Sequence, residues 1–522
     1  MVDKIIQGKT RTRRQFCSFY TNSDPIVAYM VERLQIREGD VVLEPCAGDG
    51  VFIDKIIEMW GNINFSVEAI DLNPLAVSNL NEKFHGCSNI FVRESDILLE
   101  PIGSSGLFGK PDKIYTKVIG NPPYGAWQDH SKRKLLKDIY GGYVRETYTL
   151  FLRRCLDLMR EDGRLVFIIP DTFLALRVHC ALRKHLIKNT RIEEILLIPS
   201  KFFPKVNFGY SNLCILTLVK EADCRGNMIK IVTVKQSDAS IYEIAKGHYD
   251  VADGYETIEQ DTIAKSEDCS FMIGAQGNAT LRSLISNCAT KLGDLADCVT
   301  GFYSGNNLEF MAVLDNDCKN AQKYKKISMS DVEWNFLQQP NLLKALSGPS
   351  AYLPILKGAG TEPFLTKTNW FILWDSKTVD FYKRDSKARF QNSQYYFREG
   401  IGIPMVRTSS TKAFLLEKRL FDQSVVGVFP KEEAYLNYLL AFLNSDICGK
   451  MLSAINHTAN NSANYLKKLP IMINGSALAM INHYMEICFR TKATEKTLQD
   501  INSIFNSLYS PYLSEKIVCV SG

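Results

Sequence analysis

Over the first 220 residues or so, short apolar runs alternate with stretches of helical periodicity, and this alternation leaves few folds open. "DVVLEPCAGDG" carries a strand pattern at Val41 to Leu43 that opens into a glycine-containing turn, and "VFIDKIIEMW" then reads as an amphipathic helix. "FSVEAIDLN" predicts a second strand, "PLAVSNLNEKF" a second helix entered through Pro74, "NIFVRESDIL" a third strand and "KVIGNPPY" a fourth. "TLFLRRCLDLMREDG" reads as a helix and "RLVFIIP" as the strand after it. Strands interleaved with helices of this length predict an α/β fold with a parallel sheet. In open sheets of that kind, ligands bind beyond the carboxyl ends of the strands. The first four strands are expected to end in Glu44, Asp71, Asp96 and Asn121, so those four side chains set the chemistry.

The chain has 522 residues, too many for one core of ordinary size. After about Lys265 the texture changes to irregular short strands, aromatics and Gly/Ser/Asn turns, as in "VTGFYSGNNLEF" and "IGIPMVRTSSTKAF". Two domains follow, 1–265 and 266–522, the second of mixed α+β character. A net charge of +5 permits a nucleic-acid partner without requiring one. The 14 cysteines form no C-x-x-C pair, so zinc ribbons and disulfide frameworks are poorly supported and no metal is expected. Reduced, buried thiols fit a cytoplasmic protein. No segment has the apolar length that spans a membrane, and "MVDKIIQGKTRTRRQF" lacks the apolar core of a signal peptide.

The turn "LEPCAGDGVF" lets a ligand lie against the backbone. A dinucleotide site would read G-x-G-x-x-G; here Gly48 and Gly50 fit, but Ile53 stands in the third position. Glu44 before the turn would repel a pyrophosphate and suits a cationic amino-acid end. Asp71 can accept from both hydroxyls of a ribose, and Asp96 from an adenine amino group. Cation, ribose and adenine without phosphate describe S-adenosylmethionine.

The string Asn121-Pro122-Pro123-Tyr124 ends the fourth strand beside that site. At average residue usage, a given four-residue string of this kind occurs by chance about once in several hundred chains of this length. A strand-ending proline turn would account for its shape, but its chemistry suits more. An exocyclic amine is a poor nucleophile because its lone pair is delocalised into the ring. Two acceptors on its N–H bonds, the Asn121 side-chain oxygen and the Pro122 carbonyl, draw the nitrogen toward a tetrahedral geometry. Pro122 and Pro123 hold these acceptors rigidly, and Tyr124 offers a ring face on which a planar base can stack. In-line transfer then rests on proximity, with no strong base needed.

"NPPY" after "LEPCAGDG" resembles the amino-methyltransferases that act on adenine N6 in DNA, and the order of motifs is similar to their gamma class. That resemblance, over roughly residues 15–220, implies a Rossmann-like S-adenosylmethionine-dependent methyltransferase domain followed by a DNA target-recognition domain. In "FYTNSDPIVAYMVERL", Thr21 falls on the position that holds the methionine end of the cofactor. Glu44, Cys46, Ala47, Gly48, Asp71, Leu72, Asp96 and Ile97 fall on further cofactor positions, with Gly50 in the same turn, and Phe151 sits where an aromatic packs on the cofactor adenine. "SKFFPKVNFGYSNLCILTL" resembles the segment that supplies a second aromatic to a flipped base; Phe203 is the candidate and Phe202 its rival. "YLPILKGAGTEPF", "AYLNYLLAFLNS" and "NSANYLKKLPI" resemble, more loosely, recognition domains of these enzymes and of type I specificity subunits.

The implied partner is double-stranded DNA, with a cognate restriction endonuclease if the chain is one half of a restriction–modification pair, and the enzyme is expected to work as a monomer. "HSKRKLLK" follows NPPY closely, so His130, Lys132, Arg133 and Lys134 are candidates for phosphate contacts, against a solvated helix face as the plain alternative. RNA adenine and protein glutamine suit the same NPPY chemistry, although the long C-terminal part argues against glutamine. A non-catalytic DNA-specificity protein would not need Glu44, Asp71, Asp96 and NPPY together.

Overall fold

Apolar runs bounded by turns become the central strands. The computed structural model describes residues 23–513, apart from 101–113, 125–129, 199–211, 235–236, 267, 274–280, 282, 286–287, 315–320, 348–350, 359–363, 367–368, 407–411 and 456–460. In the first part of the chain, α1 (Asp24–Leu34) precedes β1 (Asp40–Glu44), α2 (Val51–Trp60), β2 (Phe65–Asp71), α3 (Pro74–Lys83), β3 (Ile90–Glu94) and β4 (Tyr115–Gly120). Then come α4 (His130–Tyr140), α5 (Thr147–Leu158), β5 (Met159–Pro170), α6 (Cys180–Asn189), β6 (Arg191–Ile198), β7 (Leu213–Val219), β8 (Met228–Thr233), α7 (Asp238–Ala245), β9 (Gly254–Glu259) and α8 (Gln260–Lys265).

The described strands of this part form one nine-stranded sheet in the order β3-β2-β1-β4-β5-β7-β6-β8-β9. β1 to β5 pair in parallel, whereas β7 is antiparallel to both β5 and β6, and β9 is antiparallel to β8. The sheet is therefore mixed where the alternation predicted a parallel one. Every residue of β7 is buried, and the apolar run of a fully buried strand carries no signal of its direction. Two boundaries also move. β3 ends at Glu94, so Asp96 lies two residues past the strand rather than at its tip. The helix before β5 stops at Leu158, and "MREDG" belongs to the strand, with a register shift against Tyr115 and Lys117.

The sheet order reverses between β1 and β4: the chain leaves β1 toward β2 and β3, then returns to β4 on the other side. Such a switch point opens a crevice at the strand tips. α2 buries Phe52, Ile53 and Ile56, and each fully buried side chain of this size contributes about 1.5–3 kcal/mol. Ile53, in the place of a third glycine, is thus a core residue.

The chain divides into two compact units, Met1–Phe271 and Met272–Gly522. The residues just past Lys265 belong with the first unit for visible reasons. The buried Arg183 guanidinium donates to the Asp268 carbonyl, and the Phe271 N–H donates to Leu174 O. Phe271 also packs edge-to-face on Phe173.

In the second unit, described strands build two small sheets. One is antiparallel, β10 (Ala296–Thr300) beside β18 (Val425–Pro430), β15 (Ile401–Pro404) and β16 (Phe414–Leu415). The other runs β12 (Lys325–Lys326), β11 (Met311–Val313), β14 (Trp370–Leu373), β13 (Tyr352–Leu356) and β17 (Leu420–Phe421). An aromatic core lies among Phe302, Trp374, Tyr382, Tyr396, Phe421 and Phe429, with Phe302 edge-on to Tyr382 at 4.9 Å. Gly427 is required there, because a Cβ would meet Phe429 at 2.6 Å. The antiparallel helices α9 (Gly475–Thr491) and α10 (Glu495–Leu513) complete the described chain.

Candidate active site

The first loop of the crevice is built by backbone hydrogen bonds. After β1 the chain turns through Pro45–Gly50, with Gly48 and Gly50 at φ 54° and 71°. Ala47 N–H donates to Ile70 O at 3.0 Å, tying the turn to β2. Gly48 N–H donates to Asp71 Oδ2 and Asn73 N–H to Asp71 Oδ1, each at 2.8 Å. Asp71 is thereby fixed from both sides. A carboxylate has about four lone-pair sites, so each oxygen can still accept from a hydroxyl. Leu72 beside it is 44 % exposed, an apolar surface at the strand tip.

Glu44 is 1 % exposed, and its Oε2 has no hydrogen-bond partner among the described residues. Burial, then the neighbouring charges of Asp71 and Asp54, push its carboxyl well above the usual carboxylate range, with Lys83 opposing. A buried acid left unpaired costs stability unless a ligand completes it. The ligand that would complete it is a cation, which fits the amino-acid end of S-adenosylmethionine. The neighbouring Cys46 thiol is raised in the same way, chiefly by burial and then by Glu44 and Asp71, while the backbone N–H of Asn121 opposes the shift. The cofactor turn and the NPPY turn are thus in direct contact. Residues Glu44, Asp71 and Leu72 therefore fit the group the sequence implied, and Ile97 is buried beneath the loop after β3.

Asp96 is partnered already. Its Oδ1 accepts from Leu98 N–H at 3.3 Å, and its Oδ2 lies 2.5 Å from Lys132 Nζ. Lys132, expected at DNA phosphates, is thus turned inward to the carboxylate expected to hold adenine. Arg133 and Lys134 are exposed on α4, and the helix position of His130 is described but its side chain is not. α4 is seated by Leu136, which is buried, and by Tyr140, whose hydroxyl donates to Leu98 O at 2.9 Å.

Asn121 follows β4 directly, and its neighbour Gly120 pairs with Phe167 of β5. Pro122 is buried, and Asn121 and Pro123 are half-buried. Tyr124 was expected as a ring face for a base, but it is 8 % exposed and its hydroxyl donates to Asn121 Oδ1 at 2.6 Å. The phenol is held well above its ordinary pKa, first by burial, so it remains a donor at neutral pH. Thr147, in the first turn of α5, donates through Oγ1 to the Pro123 carbonyl. Phe151, one turn further along α5, is buried.

Thr21, Phe202 and Phe203 lie outside the described residues. Sequence reasoning missed Thr147, the Lys132–Asp96 pair and Asp171. Asp171 follows β5 directly and is 1 % exposed; after burial, its charge is what raises the neighbouring Cys214 thiol. The rule that polar residues end strands would have found it in "FIIPDTF". Among the described residues, no group of three or more His, Cys, Asp or Glu can hold a metal ion, and no helix is long and apolar enough to cross a membrane.

Residues 62–203 match the family model of the Eco57I restriction-modification methylase, a span that includes Asp71, Asp96 and the NPPY turn. The first unit has the fold of an S-adenosylmethionine-dependent methyltransferase. The chain is similar to the type II methyltransferase M.HincII of Haemophilus influenzae, 30 % identical over 192 residues, 35 % of this chain and 34 % of that one. The chain spans about a third of the length of curated relatives such as these type II methyltransferases. Over 91 % of its length it is similar in fold to the solved DrdV–DNA complex, at TM-score 0.54 and 14 % identity, covering 57 % of that chain. A nuclease-deletion mutant of the type ISP restriction-modification enzyme LlaGI, solved with a DNA substrate mimic, gives TM-score 0.53 at 13 % identity, over 90 % of this chain and 55 % of that one.

Proposed function

We propose that the chain is a site-specific DNA methyltransferase that methylates N6 of an adenine flipped out of the duplex. The observation that carries this reading is the NPPY turn at the tip of β4, touching the glycine turn at the tip of β1 through Cys46. In this reading Glu44 binds the cationic amino-acid end, Asp71 the ribose and Asp96 the adenine amino group, with Thr21, Cys46, Ala47, Gly48, Gly50, Leu72, Ile97 and Phe151 around them. When bound, S-adenosylmethionine supplies an electrophilic methyl group. Asn121 Oδ1 and the Pro122 carbonyl accept the two protons of the target amine and localise its lone pair. Tyr124 donates to the Asn121 oxygen and so holds the amide in one orientation. Residues 1–265 are the catalytic domain in this reading and 266–522 the target-recognition domain, acting as a monomer on double-stranded DNA. Phe203, or Phe202, stacks on the flipped base. A cognate restriction endonuclease would cut the same site.

The fold likeness to enzymes solved with DNA supports a DNA substrate over RNA or a protein glutamine. Transfer of tritiated methyl to duplex DNA, followed by nuclease digestion and nucleoside chromatography, tests substrate and atom together. Label in N6-methyldeoxyadenosine is expected; label confined to RNA or protein refutes the reading. Asn121→Ala is expected to abolish transfer while S-adenosylmethionine still binds.

A further inference from the structure

α4 has two differently used faces. Leu136 and Tyr140 are buried, and Tyr140 binds the Leu98 carbonyl, so this face is docked on the loop that carries Asp96. Arg133, Lys134 and Lys137 are exposed. Lys132 stands at the boundary, half-buried, with its ammonium on Asp96 Oδ2 at 2.5 Å. Asp96 is also the group assigned to the adenine amino group. Its other oxygen is occupied by the Leu98 N–H. Each oxygen keeps a second lone pair, but an adenine N–H seated on Oδ2 would crowd an ammonium already 2.5 Å from that atom, so the two compete for it.

We propose that Lys132 is a cofactor-gated DNA contact: the cofactor adenine displaces it from Asp96, and the released ammonium joins the exposed basic side of α4 to meet a phosphate. This rests on the reading of the chain as a DNA methyltransferase. The lysine stem is long and flexible, and Arg133 is its neighbour in sequence, so the change needs rotamers of one side chain and no movement of the helix. An ammonium released from an ion pair beside other cations gains most from a phosphate. Cofactor and DNA then strengthen each other's binding by the same factor, as linkage requires.

The test uses the full chain, S-adenosylhomocysteine as the cofactor probe and a labelled random-sequence duplex. Isothermal titration of Lys132→Met is expected to show S-adenosylhomocysteine bound about two- to fivefold more tightly, the size of a half-exposed ion pair. Lys134→Met is expected to leave that affinity unchanged. In the wild type, saturating S-adenosylhomocysteine is expected to raise duplex affinity by a similar factor. It should also steepen the slope of log K against log salt by about 0.9, one added phosphate contact. Both gains are expected to vanish in Lys132→Met and in Lys132→Gln. Cofactor affinity that is unchanged or weaker in the variants overturns the proposal, as does a DNA gain that survives in them. A wild type that binds neither S-adenosylhomocysteine nor DNA instead overturns the methyltransferase reading itself.

Discussion

Tyr124→Phe separates two roles that the NPPY turn allows its aromatic. The substitution keeps the ring and removes one atom, the hydroxyl that donates to Asn121 Oδ1 at 2.6 Å. If the ring only stacks on the target base, the variant should match the wild type. The observed contact argues otherwise. Asn121 is half-buried, and its amide must hold one orientation for Oδ1 to face an amine. The second Tyr124 contact, to Ile168 O at 3.5 Å, is long and contributes little. Loss of one buried neutral hydrogen bond costs about 0.5–1.5 kcal/mol. Felt only when the amine is being activated, that cost lowers kcat by about two- to twelvefold. The assay is steady-state methyl transfer to a duplex, with kcat and KM for DNA determined separately and S-adenosylmethionine affinity measured by titration. A fall in kcat with cofactor affinity unchanged is expected. An unchanged kcat refutes the positioning argument and would return Tyr124 to the stacking role.

Three further outcomes are expected. Glu44→Gln should weaken S-adenosylmethionine binding, and wild-type affinity should rise with pH and then level, because the cation favours an ionised Glu44 whose free carboxyl is raised; calorimetry across pH checks this. The same raised carboxyl contributes stability that is full below its unfolded pKa and is lost as pH rises through the folded one, so Glu44→Gln should melt higher than wild type at high pH in the absence of ligand. Gly50→Ala should destabilise the first unit by about 1–3 kcal/mol, since φ is 71° and a Cβ would sit 2.7 Å from Leu80 Cδ2; a lower Tm in thermal denaturation checks it. Thr147→Val should lower kcat by about two- to twelvefold by freeing the Pro123 carbonyl, and Thr147→Ser should restore it.

The legible part of this molecule is the part made of local pattern. α2 falls on "VFIDKIIEMW" and β2 on "FSVEAID" because amphipathic period and apolar alternation are properties of neighbouring residues. The glycine turn was legible for the same reason: two residues at positive φ are written as Gly48 and Gly50. The direction of β7 was not, because a run buried on both faces looks alike either way round. The second unit was read only as α+β, since strands of two residues such as Phe414–Leu415 and Leu420–Phe421 are too short to show a period.

What the sequence concealed at the site is which partner each polar group takes. Asp96 and Lys132 are 36 residues apart, and no spacing rule joins them. Tyr124 is three residues from Asn121, yet only the burial of its ring beneath β5 decides that its hydroxyl turns to the amide and not to solvent. Both surprises have one physical cause. Polar side chains at these strand tips are partly or wholly withdrawn from water, so each takes a donor or acceptor within reach. Asp71 finds two backbone N–H groups, Asp96 a lysine and Asn121 a phenol, while Glu44 Oε2 finds none among the described residues. In the proposed reading, Glu44 is where the cationic end of the cofactor would sit, and Asp96, held by a movable lysine, is where a ligand would have to compete. Glu44 should therefore govern whether the cofactor binds, and Lys132 and Tyr124 what its binding releases and what it holds in place.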